Sequence, residues 1–431
     1  MSCWIAGSAL GCAVWAQPVP PAPFAAPVSP TVVLPAAASD ASPGNATALG
    51  RPTLAEALAS AWPRSLAAAE SQGWRRQADA ERLVAHSWLA APPAIDVLQR
   101  EGRGAAARDV RETEIGLALP LWRFGQRRQQ AQSAQAESDW VTAAERAARL
   151  RLAGELRDLA VRLALVGADL EQAASQRQLL DELFVDIARR VRAGDLAPVD
   201  EMAAHAEALS ARSAEREARQ TDSALRSAWQ LSTGLSNSPL PEGAVSEPAD
   251  ADTVLAEHPE LRFAEAAVRR ARERVAQVKA QRGGAPELGI GLRQDRAGGG
   301  QPREHTVALS LRLPFGTETH SAPRLAAALA EEDAALMAEQ RLRRQLAADL
   351  ALARGQLDVN QAAVAAETER ATLLRERARH LKRAFDAGET PLPELLRAIA
   401  AAGQAAAAAN RQQALLAQAQ GRLQQALGQL P

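Results

Sequence analysis

The sequence predicts a mainly helical chain carrying two β-hairpins, built as one helix-strand-strand-helix unit used twice. Three observations predict it. The composition is poor in aromatics, at 3%, lacks Tyr, and is rich in Ala and Leu set among Arg, Gln and Glu, a mixture that favours long, closely packed helices. Landmark residues recur at one constant spacing. The hydrophobic period switches from helical to alternating and back twice along the 431 residues.

The spacing is the firmest of these. Pro120 in LALPLW and Pro314 in LRLPFG are 194 residues apart. So are Gly194 in VRAGDLAPVDEM and Gly388 in FDAGETPLPELL, and so are Ala91-Pro92 and Ala285-Pro286. One short match would mean little, but an unchanged offset across separated landmarks implies two copies of one architecture with no net insertion between them. The boundaries that follow are residues 51–236 for the first copy, 237–252 for a linker and 253–431 for the second.

Within each copy a long helix is expected, from Gln126 to about Arg190 in the first. Leu152, Leu156, Leu159, Leu163, Val166 and Leu170 step by 4, 3, 4, 3, 4, the stripe of a coiled coil, and Leu346, Leu350, Ala353, Leu357, Asn360 and Val364 keep that register in the second copy. At 1.5 Å per residue such a helix is roughly 100 Å long and must run along other helices. Ahead of each, the period becomes two: Ile115, Leu117, Leu119 and Leu121 alternate with small or polar residues, as do Val307, Leu309, Leu311 and Leu313. Upstream partners are PAIDVLQ and PELGIGLRQ, joined to them by the polar, Gly-rich EGRGAAARD and DRAGGGQPRE, so four strands are predicted.

Residues 1–16, MSCWIAGSALGCAVWA, read as a secretory signal cut after Ala16, although without the usual basic start, which fits a true start further upstream. Both cysteines, Cys3 and Cys12, fall in it, so the processed chain would have no disulfide or thiolate site; Cys12 is alternatively a lipidation site. Residues 17–50 form a Pro- and Ala-rich extended lead-in. After Ala16 no run approaches the roughly 18 apolar residues of a spanning helix, so a membrane crossing would have to be a barrel.

Alternation alone fits a half-buried sheet on a soluble domain. The export signal, the polar opposite face and the very long flanking helices favour a barrel instead. Four strands cannot close one and would leave two bare edges, whereas three copies give twelve strands, within the outer-membrane range. Only Trp122, Phe124 and Phe315 are placed to form an interfacial aromatic girdle.

From Thr53 to about Gly428 the sequence resembles the TolC-like outer-membrane factor family. The features are TLAEAL at the start, the junctions LPLW and LPFG, and the two AG turns each followed six residues later by an acid. The resemblance implies a homotrimer with an α-helical periplasmic tunnel and a 12-stranded outer-membrane β-barrel in outer-membrane lipid. It also implies coupling through a periplasmic adaptor, a membrane fusion protein, to an inner-membrane resistance-nodulation-division pump. The second junction, LRLPFGTETHSAPRLAAA, is similar to the heavy-metal, cobalt-zinc-cadmium branch. A duct for drugs or secreted polypeptides and a soluble periplasmic coiled-coil adaptor or scaffold are the alternatives.

The two AG turns each stop one helix and start another. Gly194 and Gly388 are expected at left-handed helix ends. The resemblance makes these turns the periplasmic tips, where the tunnel closes and the adaptor docks. Asp195, Asp200, Glu389 and Glu394 would there form an acidic ring over three subunits; alternatively they are acids favoured by helix capping and the macrodipole. Arg293 and Arg312 alternate onto the expected lumen face, either tuning ion passage or simply lining it. Because the junctions LPLWRFG and LPFGTETH differ, the assembly would be only quasi-sixfold.

Several classes are excluded. The net charge of −1 gives no field for nucleic acid. His86, His205, His258, His305, His320 and His380 lack metal-ligand spacing, so neither a metal site nor a cofactor is expected. No nucleophile motif, P-loop or dinucleotide fingerprint occurs, and catalysis is not expected.

Overall fold

The computed structural model describes residues 51–102, 110–239, 251–297, 302–315 and 318–431. The expected signal segment with Cys3 and Cys12, the lead-in, most of both hairpin loops and the Gly316-Thr317 pair of the second junction lie outside these residues.

The helical part begins with a reciprocal cap. Thr53 Oγ1 accepts the Glu56 N–H at 3.2 Å while the Glu56 carboxylate accepts the Thr53 N–H at 2.8 Å. This starts α1 (Leu54–Ala61), and a 3₁₀ turn at Trp62–Arg64 leads into α2 (Leu66–His86), capped by Ser65. The first hairpin follows, β1 (Ala94–Glu101) and β2 (Val110–Pro120), then α3 (Gln126–Ala193) and α4 (Pro198–Thr233). The second copy repeats this order with α5 (Ala251–Glu257), α6 (Pro259–Ala280), β3 (Glu287–Ala297), β4 (Glu304–Arg312), α7 (Glu318–Asp386) and α8 (Leu392–Ala426). Helix α5 starts inside the stretch expected to be linker. The long helices, α3 at 68 residues and α7 at 69, match the expected span.

Packing assigns these elements to three tiers. The sheet is an antiparallel meander in the order β1-β2-β3-β4. Beyond it α3 packs on α2 and α6, and α6 on α7, giving the row α2-α3-α6-α7. Farther along, α3 turns to α4 and α8, and α8 packs on α7, giving the row α4-α3-α8-α7. Each long helix therefore spans two tiers, one stripe serving two sets of neighbours. Leu156, Leu163, Leu346, Leu350 and Ala353 of the predicted stripes are buried, and α1 with Trp229 closes over Leu156, Ala160 and Leu163.

Each tier ends in open edges. Along the outer side of α7, Leu352, Val359 and Leu373 are 59, 68 and 59% exposed, with exposed Ala366 between the last two: a seven-residue spacing left largely uncovered by the described residues. The other end of that tier exposes Val199, Met202 and Leu209 of α4, and the sheet leaves β1 and β4 unpaired along their outer sides.

One buried titratable group ties the second copy together. His258 is 2% exposed; its Nδ1 accepts the Glu260 N–H at 3.2 Å, so Nε2 carries the proton donated to the Gln425 carbonyl at 3.2 Å. Burial holds its pKa below the ordinary 6.5, against the opposing pull of the Gln425 carbonyl and the Glu260 charge. The unfolded chain takes up the proton at the ordinary value. Stability from the neutral ring is thus fully present above pH 6.5 and falls as pH drops from there to the folded value. His258→Asn keeps the cap without the titration, so its melting temperature is expected to fall less than the native one between pH 7.5 and 5.5.

Candidate functional site

Two features concentrate chemistry, the sheet faces and the paired turns. Register settles the faces. Ile95 pairs with Leu117 and that with Ile290 and Leu309; Val97, Ile115, Leu292 and Val307 form the next row; Leu119, Leu288 and Leu311 form another. All lie on one side, and Ile95, Val307 and Leu309 are 72 to 75% exposed. From Val307 to Leu313 this band is about 20 Å tall at about 3.4 Å per residue. Toward the hairpin loops the same side turns polar, with Glu101, Arg111, Gln294, Arg296 and His305.

At the helix end of the band, Trp88, Phe124 and Phe315 are 91% exposed or more. Trp122 was expected among them, but it is half-buried, its Nε1 donating to the Ser87 carbonyl at 3.0 Å. Trp88 stands in its place. The signal for this was weak, because nothing in the sequence shows which of two nearby tryptophans finds a carbonyl.

The opposite face of the sheet carries Arg293 and Arg312, each paired. Arg293 meets Glu112 at 3.1 Å and Asp295 at 2.9 Å, and Arg312 meets Glu287 at 3.8 Å. With Arg100 these are three bases against six acids, Asp96, Glu112, Glu114, Glu287, Asp295 and Glu304, so this face is net acidic. The arginines do not set its sign.

The paired turns occupy the other end of α3 and α7. Gly194 and Gly388 sit at φ 87° and 80°, where a side chain would be strained. In the first, the Gly194 N–H reaches the Val191 carbonyl at 3.0 Å and the Asp195 N–H reaches that of Arg190 at 2.9 Å. In the second, Gly388 reaches Phe385 at 3.0 Å and Glu389 reaches Ala384 at 2.8 Å. Both are Schellman closures on equivalent residues. No neighbour lies within 4 Å of where a Cβ would be at either glycine, so Gly388→Ala is expected to act through backbone strain alone, costing about 1 kcal/mol, and Gly194→Ala equally. Matching falls in apparent melting temperature would check this.

One core joins the turns. Leu180, Leu183 and Ile187 of α3 pack with Ala204 and Ala208 of α4, Phe385 of α7, and Leu392, Leu395 and Ile399 of α8. Arg190, which the sequence did not single out, bridges the copies: it meets Asp186 at 2.9 Å and Asp386 at 3.6 Å, and lies 5.3 Å over the Phe385 ring. Only its place one turn before a helix-ending glycine hinted at a role.

The four acids divide. Asp195 and Glu389 are exposed, and Asp200 and Glu394 half-buried. Asp200 caps its helix, accepting the Ala197 N–H at 3.3 Å. Glu394 stands in the matching place, but the matching residue is Pro391, which has no N–H to give. Among the described residues none of the four is in an ion pair, and no group of His, Cys, Asp and Glu is arranged to hold a metal ion. Cys12 lies outside the described residues.

No family model and no curated protein matches the chain. Solved structures do match in fold. The CmeC outer membrane channel of Campylobacter jejuni superposes with a TM-score of 0.71 at 14% identity, over 87% of this chain and 85% of that one. CusC, a protein described as forming a transmembrane channel, gives 0.70 at 15%, over 87% and 92%. The open state of the MtrE outer membrane channel of Neisseria gonorrhoeae gives 0.67 at 20%, over 88% and 89%. The chain thus has the TolC-like channel fold, long packed helices with one four-stranded antiparallel sheet.

Proposed function

We propose that the chain is a subunit of a homotrimeric outer-membrane channel, the passive exit duct of a tripartite efflux system. The observation that carries this is the agreement of the three tiers. Each is an open row of four elements with unsatisfied edges, β1 and β4, α2 and α7, α4 and α7, so one rotation that brings copies edge to edge closes all three at once. The exposed apolar band, about 20 Å tall, approaches the roughly 25 Å of an outer-membrane barrel, and its aromatic margin suits a lipid interface. The helical tiers then lie in the periplasm, with the paired turns toward a periplasmic adaptor and a resistance-nodulation-division pump.

The cargo in this reading is heavy-metal cations, supported by the second-junction motif, by the acid excess on the inner sheet face and by four unpaired acids at the turns. Selection among metals belongs to the pump, since the described residues gather no ligand set. Membrane fractionation and cross-linking test the channel: recovery as a soluble periplasmic monomer would end it in favour of a coiled-coil scaffold. Deleting the gene and comparing sensitivity to cobalt, zinc, cadmium, copper and silver with that to dyes tests the cargo. Sensitivity to dyes alone would move the assignment to drug export.

A further inference from the structure

A groove of about 550 Å³ runs between α3, α7 and α8, on the turn side of the long helices and distinct from the turns themselves. One wall is cationic: Arg375, Arg379, Lys382 and Arg383 follow at i, i+4, i+7 and i+8, along one face of α7. The floor is apolar and narrow, made by Ile399, Ala402, Gly403 and Ala406 of α8. The facing wall, from α3, offers Leu179 and the amides of Gln172 and Gln176. No carboxylate lines it.

Among the described residues the charges are only partly compensated from within. Lys382 is bound by Asp386 at 3.0 Å, and Arg383 meets the His380 ring at 3.1 Å. Arg375 and Arg379 have no hydrogen-bond or ion-pair partner among the described residues. Some arginines of this chain find carboxylates, as Arg151 does with Glu260 and Arg212 with Asp181. Gly403 keeps the floor open where space is tightest, since a Cβ there would lie 2.7 Å from the Gln176 amide oxygen.

Unpaired guanidiniums above an apolar trough match an anion on a hydrocarbon body, not a bare ion. A small inorganic anion would use the arginines and leave the floor wet, and a neutral apolar molecule would leave the arginines unanswered. The volume lies in the range of small-molecule sites. We propose that this groove is a binding site for amphipathic anions, single-chain molecules with a sulfonate, sulfate, phosphate or carboxylate head. The head sits on Arg375 and Arg379, and the chain lies along Ile399, Ala402 and Ala406 toward Leu179. The site does not depend on what the duct exports.

The test is calorimetric titration of the full-length protein in a neutral amphipol with decanesulfonate below its micellar concentration. Methanesulfonate and decanol serve as head-only and tail-only probes. One saturable site per chain is expected for decanesulfonate and none for the other two. Arg375→Gln with Arg379→Gln should weaken it about tenfold or more, while Arg375→Lys with Arg379→Lys should retain most of it. Both arginines are exposed, so these variants should keep native circular dichroism. Gly403→Leu, which fills the floor, should abolish decanesulfonate binding with the arginines intact. Equal affinity for methanesulfonate, unchanged affinity in the double Gln variant, or no saturable binding would each overturn the site. Loss of adaptor capture in the double Gln variant without any native decanesulfonate binding would reassign the groove to a protein partner.

Discussion

Placing Asp at Leu352, Val359 and Leu373 together is expected to abolish assembly while leaving the isolated chain folded. These side chains are already 59 to 68% exposed in one copy, so a charge there costs the lone chain little. In a closed ring they become the seam of α7 against the neighbour's edge. Each buried Leu or Val there contributes about 1.5–3 kcal/mol, and the three carboxylates would also have to be desolvated without partners. With three seams per ring the loss is multiplied, so the expected outcome is a chain that cross-links only as monomer and leaves the outer-membrane fraction. Val359→Ile serves as the conservative control and should assemble. A stable trimer from the triple Asp variant would show that α7 does not form the seam.

The same residues show how far the sequence could be read. Periodicity placed the stripe from Leu152 to Leu163, buried at Leu156 and Leu163, because burial on a helix leaves a regular trace, and the second stripe through Leu346 and Leu350 followed by register. Alternation placed all four strands, and pairing such as Ile115 with Leu292 followed once one apolar face had to be continuous. The glycine turns were legible because only a residue without Cβ sits easily at φ of 80 to 87°. The order of packing in each tier was not, since it depends on contacts between residues far apart in sequence. Arg190 was missed for that reason: its partner Asp386 belongs to the other copy, and a single arginine near a helix end carries no pattern. The exchange of Trp122 for Trp88 at the edge of the band turns on one hydrogen bond to Ser87.

Converting Asp195, Asp200, Glu389 and Glu394 to their amides is expected to remove most of any cation preference of the reconstituted channel. In a trimer the change neutralises twelve carboxylates, none of them answered by a cation among the described residues. The preference of cation over anion, read as reversal potential across a salt gradient in planar bilayers, should collapse toward unity. The native preference should itself weaken with salt, because exposed charges are screened within about 10 Å at 0.1 M. The structure further predicts that the four are unequal. Asp200 holds a helix start through the Ala197 N–H, a role that Asn can keep, so Asp200→Asn isolates its charge. Glu394 faces Pro391 and has no such bond, leaving both carboxylate oxygens available to a passing cation. Glu394→Gln should therefore shift the reversal potential more than Asp200→Asn while leaving the melting temperature unchanged. Equal shifts would mean that the proline makes no difference at the entrance, and an unchanged quadruple variant would remove the acidic ring altogether and leave any selectivity to the net-acidic face of the sheet.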